Sequence, residues 1–352
     1  FLLVDYKGGA AFAECTELPH TVGLVTDLSP HLVRRALTSL RAELRYREEL
    51  LAAHGAKDLI TMERRSEAAA PPALIIVIDE FAALAKEIPE FVDGVIDIAQ
   101  RGRSLGLHLI MATQRPAGVI KDNLRANTNL RVALRMADEA DSSDVIGVKD
   151  AAFFGAETPG RGAIKVGPGR IAHFQTGYLG GRASTAVTAS RIEVRPLGFT
   201  EGAAWDLPPE REESPVRKSL RDIEVLRDGI IAAAVAARIA PPRRPWLDAL
   251  PERLDLQRLV EAGGDGPGDV AVIGLRDEPD EQVQRPVAID FEEVGNISIL
   301  GAGGTGKTSA LLTLAASLSS AAGASPVQLY GIDAAGGALD ALTALPTVGA
   351  VA

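Results

Sequence analysis

Eight residues near the C-terminus, GAGGTGKT from Gly301 to Thr308, restrict this 352-residue chain more than anything else in it. They satisfy G-x-x-x-x-G-K-[ST], the pattern of a phosphate-binding loop. Gly301, Gly303, Gly304 and Gly306, with Ala302 and Thr305 between them, let backbone N–H groups curl around phosphate oxygens. A helix read from about Lys307 to Leu318 adds the positive end of its dipole. Lys307 is then expected to reach the β- and γ-phosphates of ATP, and the Thr308 hydroxyl to ligate Mg²⁺. Gly301, Gly303 and Gly306 also fit the dinucleotide pattern G-x-G-x-x-G, with Asp333 as the acid that follows. That alternative leaves Lys307 and Thr308 without a role.

A phosphate loop works with acids that come later in its domain, yet only 44 residues follow Thr308. The acids stand far upstream. ALIIVIDE, Ala73 to Glu80, is an apolar, β-branched run ending in Asp79-Glu80, a Walker B pattern. Such a run fits a strand buried on both faces of a parallel sheet. Asp79 would hold the Mg²⁺ shell, and Glu80 would orient and polarise the attacking water. Two acids after a strand are also common in a solvated loop. LHLIMAT (107–113) and LRVALRM (130–136) read as two further strands of the same kind. The first runs into ATQRP, which puts Gln114 at a strand's carboxyl edge, where α/β folds bind ligands. There it could sense a γ-phosphate; a polar turn residue is the plainer alternative. Strand and helix in alternation predict a doubly wound α/β sheet.

Composition bounds the rest. The net charge of −10 argues against a generally basic nucleic-acid coat, though not against a local basic groove. One cysteine, Cys15, excludes an internal disulfide framework and suits a reducing compartment. No stretch has the 18 or so apolar residues of a membrane helix; IIAAAVAA (230–237) is closed by Arg238. RGAIKVGPGRIAHFQTGY (161–178) reads as a hairpin turned at Gly167-Pro168-Gly169. Beyond about Arg191, LPPEREESP and APPRRPWLDALP mark linkers, with a helix expected over 216–239. Strand signals return from about Gly268 in VAVIGL, PVAIDF and NISILG. The opening FLLVDYKGG reads as a strand entered in mid-domain, so a longer chain is expected.

VDYKGGAAFAECTELPHTVGLV (4–25) is similar to IDAAGGALDALTALPTVGAV (332–351). Asp5, Gly8 and Gly9 match Asp333, Gly336 and Gly337, and Pro19 and Gly23 match Pro346 and Gly349. Two copies of one domain produce such a repeat. On this reading residues 1–192 form a first module, 193–264 a linker, and 265–352 the start of a second module. The first module has its Walker B acids without a phosphate loop; the second has the loop without its acids. Glu80 and Lys307 then serve different nucleotides, and these residues alone are expected to be a poor ATPase.

IDEFAAL, AQRGRSLGLHLIMATQRP and LRANTNLRVALRM follow one another in the order of the FtsK/SpoIIIE family of motor ATPases. The resemblance covers about residues 1–180 and 268–352. It implies a RecA-like P-loop NTPase with a mainly parallel sheet flanked by helices, here two tandem modules each incomplete. It also implies ATP and Mg²⁺ as cofactors and a hexameric ring, with Glu80 and Asp79 as Walker B and Gln114 as sensor. Arg101 or Arg103, and Arg131 or Arg135, would face a neighbouring subunit's nucleotide; ordinary surface arginines are the alternative. The tandem arrangement resembles the type VII secretion ATPases, which implies a secreted polypeptide as substrate at the cytoplasmic face of the inner membrane. Membrane association would come only through segments outside this chain. Double-stranded DNA, as in the single-motor translocases, is the alternative substrate, and a regulatory scaffold with little turnover is another. The second copy departs from the pattern, since DAAGG lacks the lysine of DYKGG.

Overall fold

The computed structural model describes residues 1–5, 8, 11–26, 30–114, 126–167, 169–181, 220–263, 270–321, 327–334 and 336–352. The chain divides into two compact units, Phe1–Leu28 with Leu50–Arg243, and Ser29–Glu49 with Arg244–Ala352. The expected linker segment 193–219, and Tyr6, Lys7, Gly9, Arg115, Pro116 and Pro168, lie outside the described residues.

The first unit is built on a parallel sheet ordered β2 (Gly23–Val25), β1 (Leu2–Asp5), β3 (Leu74–Asp79), β4 (Leu107–Met111). β1 is buried along its whole length, and Ile76 and Ile78 of β3 are likewise enclosed. That pair of apolar runs forms the interior of the sheet. Helices α2 (Leu59–Arg64), α3 (Phe81–Glu87) and α4 (Pro89–Leu105) follow the strand order. α4 buries Phe91, Val92, Val95, Ile98 and Leu105 at helical spacing. It comes closest at Gly102, where a Cβ would stand 3.0 Å from both the Cβ and the carbonyl oxygen of Leu107, tighter than ordinary contact.

Two strands differ from expectation. β4 lies at the edge of the sheet, so Ile110 is half exposed rather than enclosed. β5 (Leu130–Leu134) does not join the parallel sheet. It pairs antiparallel with β6 (Arg161–Val166), which turns back into β7 (Ile171–Gln175) as the predicted hairpin. Among the described residues, one face of this three-stranded sheet is covered, by α5 (Glu139–Ile146) and the 3₁₀ turn Asp150–Phe153. The covered core is small: Ala133, Ile146, Ala151 and Ala163. Leu130, Val132 and Leu134 therefore face outward, which a continuous apolar run cannot reveal. The expected linker helix is α6 (Asp222–Ala236), which buries no residue and is tied to the unit through Arg221–Glu14 and Arg227–Glu17 pairs.

The second unit contains a long antiparallel hairpin, β8 (Val270–Glu278) and β9 (Val283–Asp290), and a parallel pair, β10 (Leu329–Gly331) and β11 (Val348–Val351). α7 (Leu256–Gly263) and α9 (Lys307–Ala321) pack on β8, and α8 (Phe291–Val294) follows β9. The Ser317 hydroxyl of α9 accepts the Val272 N–H at 2.8 Å. The expected strand NISILG forms no ladder among the described residues, and Leu300 is 88% exposed. A strand needs a neighbour for its N–H and C=O groups, and none of the described strands pairs with it.

The portion of α1 (Pro30–Ala53) in this unit buries two stripes. Val33, Leu37, Leu40 and Leu44 form the apolar one. Arg35, Ser39, Glu43 and Arg47, each four residues apart, form a polar one that is buried too. Arg35 bonds Asp277 through Nε at 2.5 Å, donates to the Leu247 and Asp248 carbonyls, and lies over the Trp246 ring. Gln282, at a left-handed φ of 57° in the β8–β9 turn, donates to the Ser39 carbonyl at 2.9 Å and to Glu43 at 3.3 Å.

Candidate functional site

In a parallel sheet all strands end at the same edge, so residues that close adjacent strands are gathered there. In the first unit Asp5 closes β1, Asp79 closes β3 directly beside it, and Gln114 stands three residues past the end of β4. Asp5 is almost fully buried and accepts the Ala11 N–H at 3.4 Å. The Asp79 carboxylate accepts the Glu80 N–H at 2.9 Å through Oδ1, which fixes its direction. Glu80 itself has φ 53° and ψ 47° as the N-cap of α3. A left-handed non-glycine residue costs about 1–3 kcal/mol and persists only where its surroundings enforce it.

Those surroundings are the exit of β4. The Ala112 N–H donates to the Ile78 carbonyl and the Phe81 N–H to the Ala112 carbonyl, each at 2.9 Å. The Glu80 carboxylate is thereby turned toward β4, with Thr113 Oγ1 and the Gln114 N–H each 3.5 Å from its Oε1. Glu80 is 8% exposed, whereas the Gln114 side chain is open to solvent. Of the predicted residues, Asp79, Glu80 and Gln114 are thus brought together. Sequence reasoning missed two neighbours. Asp5 was visible through its match with Asp333, and Thr113 sits inside the quoted ATQRP.

The glycine loop belongs to the second unit and is built differently. Residues 301–306 are all exposed, with Gly304 at φ 77° and Gly306 at φ 90°. Side chains are rarely accommodated at such angles, which is why glycine stands there. The Lys307 ammonium donates to the carbonyls of Gly301 at 2.9 Å and Ala302 at 2.5 Å, and Thr305 Oγ1 donates to Ala302 at 2.9 Å. The Ala310 N–H donates to the Gly306 carbonyl at 2.8 Å and starts α9, with Thr308 in its first turn.

The arginine candidates divide. Arg101 and Arg103 flank buried Gly102 on α4, so both point away from the core, and Arg101 pairs with Asp97 at 2.8 Å. Arg131 Nε donates to the Thr128 carbonyl at 3.3 Å, and Arg135 is exposed just after β5. The Cys15 thiol is pushed above its ordinary value by burial and by Glu14, which fits an unreactive thiol.

The two units also share a local device. The Asp5 carboxylate accepts an amide six residues on, at Ala11; the Asp333 carboxylate accepts one six residues on, at Leu339, at 3.0 Å. Leu18 donates to Cys15 and Thr21 to Leu18, while Leu345 donates to Leu342 and Val348 to Leu345. In both, a strand, an acid-capped loop and a parallel return strand follow in order.

A parallel sheet with flanking helices and acids at its carboxyl edge, together with a glycine-lysine loop opening a helix, is the fold of a P-loop ATPase. The FtsK/SpoIIIE family model matches residues 1–61, 57–118 and 273–352. The type VII secretion system protein EssC of Staphylococcus aureus is 34% identical over 330 residues, 88% of this chain and 22% of its own length. The ESX secretion system protein EccC of Geobacillus thermodenitrificans is 32% identical over 98% of this chain and 24% of its own. Among solved structures, the cytoplasmic domain of the Thermomonospora curvata type VII secretion ATPase EccC matches all of this chain and 39% of its own. Its TM-score is 0.80 and its identity 30%. The chain belongs to the FtsK/SpoIIIE family, and spans about a fifth to a quarter of the length of these curated relatives. Among the described residues, no helix is long and apolar enough to cross a membrane.

Proposed function

We propose that the protein containing this chain is a motor ATPase of a type VII-like secretion system, and that the chain carries parts of two ATP sites rather than one. The observation that carries this reading is the duplicated acid-capped loop, Asp5 to Ala11 and Asp333 to Leu339. One copy lies beside the acids of β3; the other follows the glycine loop and α9. Each half-site then belongs to a module of its own.

In the first module Glu80 accepts a proton from the water that attacks the γ-phosphate, and Asp79 would help to hold Mg²⁺. In the second, the 301–306 amides and the Lys307 ammonium bind the phosphates. Phosphate oxygens replace the Gly301 and Ala302 carbonyls as the partners of Lys307. Thr308 Oγ1 and the Asp79 carboxylate are hard oxygen donors of the kind Mg²⁺ takes, each toward its own nucleotide. Mg²⁺ held there would supply charge neutralisation at the phosphates. Arginines from a neighbouring subunit, drawn from Arg101, Arg103, Arg131 and Arg135, complete the first site in a ring-shaped homo-oligomer, six subunits in the reading adopted here. The substrate is a secreted polypeptide, in keeping with the relatives' names, and the ATPase works at the cytoplasmic side of a membrane.

Glu80→Gln in the whole protein tests the reading. Steady-state ATP hydrolysis falls by about 10²–10⁴-fold, the range of a positioned general base, while nucleotide binding persists. Unchanged turnover makes the chain a nucleotide-binding scaffold instead. DNA-stimulated hydrolysis, with DNA affinity that falls steeply with salt, replaces the polypeptide substrate with DNA.

A further inference from the structure

We propose that Thr113 is the positioning residue for the Glu80 carboxylate, holding it at the point where β3 and β4 end. This rests on the reading of Glu80 as the general base. Three observations converge on it. The backbone of Glu80 is left-handed, which swings its side chain out of the line of β3 and across to β4. The two strand exits are stitched at fixed height by the Ala112–Ile78 and Phe81–Ala112 bonds, so Thr113 cannot slide relative to Glu80. The Thr113 hydroxyl and the Gln114 N–H then approach the same carboxylate oxygen, Oε1.

Two donors at one oxygen define which way a carboxylate faces. A flexible glutamate has three side-chain torsions to fix, and a base that must meet water in line with a γ-phosphate works only in a narrow range of them. Both contacts are 3.5 Å long, as catalytic hydrogen bonds often are before the nucleotide is bound. Because the second donor is the amide of Gln114, the placement of Glu80 and of the sensor side chain share one backbone segment. Thr113 therefore acts through Glu80.

The test uses the whole protein with Mg²⁺-ATP and four forms: wild type, Thr113→Val, Thr113→Ser and Glu80→Gln. Valine keeps the shape and removes the donor; serine keeps the donor. Thr113→Val is expected to lower kcat about 10-fold with KM within about twofold, and Thr113→Ser to restore kcat to within about threefold of wild type. In the Glu80→Gln background, adding Thr113→Val costs less than about twofold, because a residue that works through Glu80 has nothing left to position. A structural role predicts a different pattern: loss in both backgrounds and no rescue by serine, which would overturn the proposal. Full turnover in Glu80→Gln overturns the reading of the site and this inference with it. Turnover abolished in Glu80→Gln beside unchanged kcat in Thr113→Val overturns the positioning role alone. Should Thr113→Val prove unstable, the serine form decides: a kcat below a tenth of wild type counts against the hydroxyl.

Discussion

The acid end of β3 and the glycine loop before α9 are prepared for their tasks in opposite ways. Glu80 is almost buried, its backbone is held in a costly conformation, and the bonds that hold it come from the exit of a neighbouring strand, 33 residues away in sequence at Thr113. The loop 301–306 is exposed throughout and is closed by bonds from within itself, with Lys307 and Thr305 reaching back onto Gly301 and Ala302. A base must be correct before substrate arrives, because misplacing it costs rate. A phosphate loop can be loosely closed, because the phosphate brings the charge that organises it. On the proposed reading, sheet packing would do for the acids what a bound phosphate would do for the loop.

The largest effect expected in the second unit lies away from the loop. Arg35→Ala removes one partner of a buried ion pair and leaves Asp277 with Gln284 as its remaining bond. Breaking such a pair costs about 3–5 kcal/mol. Amide exchange along β8 and β9 should therefore speed up by orders of magnitude, with the exchange of Gly301–Gly306 unchanged. Equal acceleration in the loop would mean that it is scaffolded like the acids, and the contrast would fail. The same pair gives a pH dependence. Bonds from Arg35, and then from Gln284, hold the Asp277 carboxyl below its ordinary value. Its stabilisation is fully present above the unfolded value of about 3.9 and is lost as pH falls through the lower folded value. In Arg35→Ala that acid-dependent loss should shrink.

Lys307→Ala comes next. A charge-assisted bond contributes about 1.5–3 kcal/mol, so nucleotide affinity at the second module should weaken roughly 10- to 100-fold. Turnover that depends on Glu80 should stay within about twofold, measured as steady-state hydrolysis at saturating ATP. Loss of most turnover would place lysine and glutamate at one nucleotide and undo the contrast at its root.

What the sequence disclosed follows the same division. Local patterns were enough for the loop, since glycines at positive φ and a helix start are properties of adjacent residues: Gly304, Gly306 and α9 were all legible. The strand β3 was legible because a short apolar, β-branched run bounded by Pro71-Pro72 and two acids has the length and composition of a buried strand. The expected parallel strand at 130–136 was not, because pairing direction is decided by a partner, β6, some 30 residues on. The buried polar stripe of α1 was illegible for a similar reason. Nothing local to Arg35, Ser39, Glu43 and Arg47 shows that Gln282 and Asp277, more than 230 residues away, lie against them. Thr113 was passed over because the role proposed for it depends on the left-handed turn at Glu80, and nothing in IDEF announces a positive φ.

The smallest expected effect compares the two acid-capped loops directly. Both carboxylates accept an amide six residues on, but Asp5 is 2% exposed while Asp333 is only half-buried. Asp5→Ala removes a buried acceptor, whose bond to the N–H of exposed Ala11 is strengthened by the low local dielectric around the carboxylate. A hydrogen bond to a charged group contributes about 1.5–3 kcal/mol, so exchange at Ala11 should accelerate about 10-fold or more. Asp333→Ala removes an acceptor that is only half-buried, whose bond to the Leu339 N–H gains less from its surroundings, and exchange there should rise by only about threefold. The bond lengths point the other way, 3.4 Å at Asp5 and 3.0 Å at Asp333. If Leu339 accelerates more than Ala11, bond geometry outweighs burial. The second loop would then be as firmly organised as the first, and the contrast between a rigid acid end and a ligand-organised second unit would be confined to the glycine loop itself.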